Sequence, residues 1–420
     1  WGYNAQRQLG VDTSASTVNV PTVVKTDAST ELSDVVEIAA GMQQMSARVI
    51  EDASADPFTK VYAWGNNSYG QLGLNKSDAT YVYATRVVGG ETKKDYLEDT
   101  VSLYAGGYHM GSVQSDYSVW DWGYNINGQL GDGKNRNTNI PVQVLTGAQD
   151  SNSGYLENII QVAAGAYHNL ALAKDGTVWT WGYNYHGQLG NGTTANSSLP
   201  VKVIGVSDVV SIAAGYYNSF AVRKDGTVWS WGYNNYGSLG LGDGTSRTTA
   251  QQVLGGASGS QYLTDIVEVK AATMHTLALK ANGTVYAWGY NGYGQLGSSG
   301  SSYTPVQVVT GAQKSASGYL EKVVDIDVSS GNDNGYGTSI ALTESKEVYG
   351  WGYSGYGPLG QTGYFTSPIK VSNINTAVGV ALGGTDNTQF TYILKEDGTI
   401  SSLGYNYYGP VSYTHLRAHE

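Results

Sequence analysis

The chain has 420 residues, of which 57 are Gly, 34 Tyr, 10 Trp and only 4 Phe; 23 Lys plus Arg against 34 Asp plus Glu give a formal charge of −11. With no Cys there is no disulfide scaffold, thiolate metal site or cysteine nucleophile. No basic excess points to a nucleic-acid partner, no apolar run approaches the roughly 18 residues of a membrane helix, and the aromatic content argues against disorder.

In chain order, Trp1 already stands inside a repeated motif, so the N-terminus reads as a cut edge and the lack of a signal peptide is uninformative. Trp-Gly recurs at Trp1, Trp64, Trp122, Trp181, Trp231, Trp288 and Trp351, and Leu403-Gly404 is an eighth copy, at a mean period of about 57 residues. Each unit carries four short runs rich in apolar and β-branched residues. One set is 159–164, 168–173, 177–181 and 199–203. The second and third runs are joined by Asp175-Gly176, with Asp225-Gly226, Asn282-Gly283 and Asp397-Gly398 at the same place, which predicts a two-residue hairpin turn. No segment keeps a helical period. The expected fold is all-β: a seven-bladed β-propeller of four-stranded antiparallel blades over residues 1–409. The first run occurs seven times and the Trp-Gly run eight times, so Trp1 and Leu403 compete for one slot unless further repeats exist. Residues 411–420 match no repeat and resemble a translated transposase sequencing adapter. Residues 410–420 are therefore expected to be a non-native tail, and the chain a fragment read from environmental DNA.

The stretch Trp181-Gly-Tyr-Asn-Tyr-His-Gly-Gln-Leu-Gly190, followed by Pro200 and by Val210-Ser-Ile-Ala-Ala-Gly215, is similar to the repeat of the regulator of chromosome condensation family. Further copies run from Trp64 to Gly73, Trp122 to Gly131 and Trp288 to Gly297. The resemblance implies a seven-bladed propeller that binds other macromolecules through a face. Arg7 stands where the motif has Gly, Ser238 and Pro358 stand where it has Gln, and 331–337 is an insertion.

Chemistry-bearing patterns are few. Gly292–Gly297 and Gly355–Gly360 read G-x-G-x-x-G but lack the following helix of a dinucleotide site. His109, His168 and His275 share one repeat position, which favours structural hydrogen bonding over a metal. Asn332–Gly335 lacks the spaced acids of a calcium loop. No catalytic constellation, cofactor or metal is expected. The ten Trp fall in or two residues before the Trp-Gly motif, which marks them as blade core.

Tyrosine carries the functional signal. In an antiparallel meander the Gly-x-Tyr-His turns and the Tyr-Asn-x-x-Gly loops share one end of the blade, and Lys174 and Lys224 fall near the other. Tyr with Ser, Gly and Asn resembles paratope chemistry. Tyr directly after Trp-Gly, as in Tyr183 and Tyr233, repeats in almost every copy and is expected to be structural. Positions that vary between copies are the expected contacts: Tyr69, Tyr108, Tyr167, Tyr185, His186 and Tyr216, then Tyr217, Tyr236, Met274, Tyr293 and Tyr356. The resulting expectation is a non-catalytic, exported bacterial protein, extracellular or at the cell surface, that engages a protein partner. Glycan binding is the alternative, and a guanine-nucleotide exchange regulator a more distant one.

Overall fold

The computed structural model describes the chain except for residues 1, 12, 14–16, 19–21, 51–58, 78–79, 93, 150–152, 330–334, 356, 372–373, 384–388, 405–415 and 418–420. The fold is an all-β, seven-bladed propeller. Among the described residues there are seven four-stranded antiparallel sheets, each in sequential order. Their first strands are Val35–Ala40, Thr100–Ala105, Ile159–Ala164, Val209–Ala214, Ile266–Ala271, Val323–Val328 and Ala377–Gly383. Leu403 lies in the third strand of the last blade, Thr399–Gly404, while Gly2–Tyr3 pairs only with Thr17–Val18 in a two-stranded sheet. Gly2–Tyr3 and Leu403 therefore stand in different sheets. Leu416–Arg417, inside the expected non-native tail, pairs with Thr399 and Ile400.

By contacts the chain divides into an N-terminal unit (3–18 and 22–212) and a C-terminal unit (213–420 with 1–2 and 19–21). Within each, most middle strands are covered on both faces, which suits their β-branched and aromatic residues. His168–Ala173 and Val178–Gly182 are buried throughout, whereas the first strand of the same blade exposes Ile160. The cores lie between successive sheets. In the N-terminal unit, Val119, Val144 and Leu156 of one blade pack with Ile159, Ala171, Trp179 and Trp181 of the next.

One contact explains the motif. A Cβ on Gly131 would lie 2.7 Å from Val144 Cγ1 and 3.2 Å from the Trp181 ring. The glycine ending Gln-Leu-Gly thus admits the next blade's Trp. Gly73 stands likewise against Trp122, Gly240 against Trp288 and Gly297 against Trp351. In three of these copies the indole is then tied by its N–H, whereas buried Trp122 Nε1 has no hydrogen-bond partner among the described residues. Trp181 Nε1 donates to the Gln129 carbonyl at 3.0 Å, Trp288 to that of Ser238 at 2.7 Å, and Trp351 to that of Gln295 at 2.9 Å. Because the acceptor is backbone, Ser238 serves where Gln is usual. Pro358 keeps its carbonyl in the same way, accepting from Thr391 Oγ1 at 2.6 Å.

The hairpin turn differs from the expectation. Gly176 N donates to the Ala173 carbonyl at 2.9 Å and Ala173 N to that of Thr177 at 2.9 Å, so the loop has three residues, not two. Only Gly176, at φ 80°, enters the left-handed region, as the last residue of a turn-plus-bulge hairpin requires. Asp175 contributes through its side chain, accepting from Thr177 N at 2.9 Å.

Candidate binding loops

Each Tyr-Asn-x-x-Gly loop is held from inside. Asn184 Oδ1 accepts from Leu189 N at 2.9 Å, and its Nδ2 donates to the carbonyls of Thr193 and Ala195 at 3.0 and 2.9 Å. Gln188 Oε1 accepts from His186 N at 2.9 Å. Asn67 with Gln71 and Asn291 with Gln295 make the corresponding bonds to Leu72, Tyr69, Leu296 and Tyr293. The turn is closed by Gly187 N donating to the Asn184 carbonyl at 2.9 Å, with Gly187 at φ 83°. Arg7 takes the same place at φ 60°, a conformation glycine adopts at lower cost. With backbone groups satisfied by Asn and Gln, Tyr185 is left exposed at the loop tip.

In the N-terminal unit the rings form a continuous series. Tyr69 meets Tyr108 and Tyr124 edge-on at 5.6 and 5.1 Å. Tyr124 meets Tyr167 at 6.1 Å, Tyr167 meets Tyr183 at 6.4 Å, and Tyr183 stacks on Tyr185 at 6.5 Å. His186 meets Tyr185 edge-on at 5.1 Å. Tyr185 is 69 % exposed and Tyr69 39 %, while Tyr108, Tyr167 and His186 are half-buried. Burial lowers the His186 pKa and raises that of Tyr183, the latter helped by Tyr185. Tyr183, expected to be structural, is only half-buried and belongs to the series.

The loop tyrosines of the C-terminal unit are also in contact. Tyr216, Tyr217 and Tyr233 are joined at 4.6 and 6.4 Å. Tyr236, Tyr290 and Tyr293 are joined at 5.4 and 6.4 Å. Tyr293 also meets Tyr336 at 4.8 Å, Tyr353 at 5.7 Å and Tyr364 at 5.2 Å. Burial, with a hydrogen bond to Tyr336, raises the Tyr293 pKa. Tyr336 and Tyr364 escaped the sequence reading. Tyr336 lies within the 331–337 insertion, a usable signal. Tyr364 sits in the fourth strand opposite Tyr353, which only register reveals. Met274 departs from its expected role: it is 5 % exposed, because its turn packs inward, and its carbonyl accepts from Tyr290 N at 2.9 Å. Tyr356, with Tyr405, Tyr407 and Tyr408, lies outside the described residues, as does most of the Asn332–Gly335 segment.

His109, His168 and His275 are fully buried. His109 Nε2 lies 2.9 Å from Asn169 Oδ1 in the next blade, and His275 Nε2 lies 3.1 Å from Ser339 Oγ. Burial lowers their pKa values to about 4 for His109 and about 3 for His168 and His275. Among the described residues no three His, Asp or Glu side chains are grouped to hold a metal, and no helix is long and apolar enough to cross a membrane.

Known proteins share this repeat. The RCC1-like domain family model matches residues 59–388. The chain is 28 % identical over 366 residues to the human E3 ubiquitin-protein ligase HERC2, covering 86 % of this chain but 7 % of that protein. It is 29 % identical over 306 residues to the ultraviolet-B receptor UVR8 of Arabidopsis thaliana, covering 72 % of this chain and 62 % of the receptor. The chain thus spans less than two thirds of each of these relatives. Among solved structures, human WBSCR16 has a TM-score of 0.68 at 21 % identity, covering 94 % of this chain and 98 % of that one. Prp20p of Saccharomyces cerevisiae has 0.66 at 22 %, covering 96 % and 90 %. With the repeat, the sheets and the family model in agreement, the chain belongs to the RCC1-like domain family.

Proposed function

We propose that this propeller is a non-catalytic binding module of an exported bacterial protein, secreted or at the cell surface, and that it engages a protein partner through its tyrosine loops. The observation that carries this reading is the division of labour in the loops: Asn184 and Gln188 satisfy the backbone, and Tyr185 stays exposed at the tip. Large, rigid rings of this kind supply interface anchors. The structure of Prp20p was reported with its binding to Gsp1p and histones, and yeast RCC1 has been solved bound to Kap60, so propellers of this fold serve as protein-binding platforms. The acidic, Cys-free, Tyr-, Asn- and Gly-rich composition supports export.

The test is photo-crosslinking from position 185 and from position 174 in extracellular extract, followed by affinity measurement on the captured protein. Tyr185→Ala and Tyr236→Ala are expected to weaken binding about tenfold each, equivalent to about 1.4 kcal/mol, with melting unchanged. Lys174→Ala with Lys224→Ala is the control. Binding that survives the Tyr pair and is lost with the Lys pair overturns the proposal.

A further inference from the structure

The loop Asp132–Asn137 carries two cations that its own fold does not need. Asn125 Nδ2 donates to Asp132 Oδ1 and to the Lys134 carbonyl at 3.0 and 3.1 Å, and Asn125 N donates to Asn137 Oδ1 at 2.9 Å. The next repeat builds the same loop without charge: Asn184 bonds the carbonyls of Thr193 and Ala195, and Asn184 N donates to Asn196 Oδ1 at 2.9 Å. Thr193 and Ala195 thus stand where Lys134 and Arg136 do. The Lys134 side chain is half exposed and reaches Asp132 only at 3.7 Å, and Arg136 is exposed. In a chain of charge −11, two such cations on one loop are a local departure.

They line a cleft of about 510 Å³ within the N-terminal unit, in the size range of small-ligand sites. The other wall is the loop of Ser68 and Tyr69. The walls are tied together. Asn75 N donates to the Asn139 carbonyl at 2.8 Å and Asn139 Nδ2 to Ser77 Oγ at 3.0 Å. Gly70 lets the loops touch, since a Cβ there would lie 2.6 Å from the Thr138 carbonyl oxygen. Tyr69 is a fixed plate, packed edge-on by Tyr108 and Tyr124. The remaining lining is mostly hydroxyl and amide, from Ser68, Ser77, Asn137 and Thr138 among others, with the carboxylates of Asp132 and Glu91 and the apolar Ile140 and Val142.

We infer that this cleft binds an acidic saccharide, a sugar bearing a carboxylate. The C–H face of a pyranose stacks on Tyr69. Its hydroxyls meet the amides and hydroxyls. Its carboxylate takes Arg136, whose planar fork matches it in two hydrogen bonds, with Lys134 adding charge. A polyacidic peptide would place several charges against Asp132 and Glu91, whereas a hydroxylated ring offers those carboxylates donors. The inference is separate from the protein-partner proposal and shares only Tyr69 with it.

Titration calorimetry of the full chain tests it, with galacturonic acid, its methyl ester and tetraglutamate as probes. The free acid is expected to bind saturably. The ester and tetraglutamate are expected to bind at least tenfold more weakly. Arg136→Ala and Tyr69→Ala should each weaken the acid at least tenfold, and Lys134→Ala by less. Because Ala195 already fills the position of Arg136 in the next repeat, Arg136→Ala keeps the fold, which its melting curve checks. No saturable binding up to millimolar acid, ester binding equal to that of the acid, tetraglutamate binding as tightly, or an unchanged Arg136→Ala each overturns the inference.

Discussion

Two successive blades of the N-terminal unit, Thr100–Gln143 and Ile159–Lys202, follow one plan and fill it differently. In the second, Ala163 faces Leu170, and Leu170 faces Thr180, whose Oγ1 donates to the Leu189 carbonyl at 2.6 Å. In the first, the same three positions are Tyr104, Gly111 and Asp121. Gly111 makes room, since a Cβ there would lie 2.2 Å from Tyr104 Cζ and 2.3 Å from Asp121 Oδ1. The Tyr104 hydroxyl donates to Asp121 Oδ1 at 2.6 Å. From the following blade, Trp181 Nε1 and Asn169 Nδ2 approach Asp121 Oδ2 at 3.3 and 3.5 Å. Burial nevertheless pushes the Asp121 pKa well up and does the same to Tyr104. The comparison teaches that the repeat fixes the backbone frame and the Trp staple, while each blade's interior is solved as a set of three neighbours.

The largest expected effect tests the staple. Trp181→Ala should cost about 3–5 kcal/mol of stability by chemical denaturation, from lost burial and a cavity. A variant that melts like the parent would mean that the indole is not a core anchor. Next, Asp121→Ala should cost about 3 kcal/mol, because it leaves the buried Tyr104 hydroxyl without its acceptor. Replacing all three residues by those of the next blade (Tyr104→Ala, Gly111→Leu, Asp121→Thr) should recover most of that loss. If the triple variant is worse than Asp121→Ala, the blades are not interchangeable at these positions.

Acid separates the blades more gently. Buried His109 holds out to about pH 4 before it protonates, whereas an unfolded histidine does so near 6.5. The unfolded state thus gains protons first. The stability His109 contributes is present above about pH 6.5 and is lost toward pH 4, at about 1.4 kcal/mol per pH unit. His168 and His275 act in the same direction, down to about pH 3. Asp121, raised by burial, acts oppositely: its contribution is present below the ordinary carboxylate range and is lost as pH rises through its folded value. His109→Asn, which copies Asn218 of a later repeat, should flatten the slope of stability between pH 6.5 and 4 by one proton; an unchanged slope would contradict the assignment. The smallest effect belongs to the loop tips. Tyr185→Ala should change stability by less than about 0.5 kcal/mol, since the matching loop of the preceding blade carries Ile126 and keeps its Asn125–Leu130 bond at 3.0 Å. A larger loss would make Tyr185 part of the fold.

The blades were legible because the repeat shows each column several times. Trp181, Gly131 and Leu189 announce the same buried geometry in most copies, and the seven first strands fall where the sequence placed them. What one copy does alone was not legible. Tyr104, Gly111 and Asp121 are 7 and 10 residues apart in sequence, and nothing in that spacing says they touch. The turn at Asp175 was misread because Asp-Gly also suits a bulged three-residue loop. At the candidate site, variation between copies located the tips of the Tyr loops, but burial decided against Met274, and strand register added Tyr364.

The glycine that receives its neighbour's tryptophan sets a rule for how such a gene can change in length. Each Gln-Leu-Gly is complementary to the Trp of the following copy, not to its own, so the matched pair straddles the join between copies. Duplicating or deleting one full period, wherever the break falls, restores every pair. A break that adds or removes part of a period strands one glycine and one indole. Copy number and loop-tip residues can therefore drift while the interlock is inherited intact.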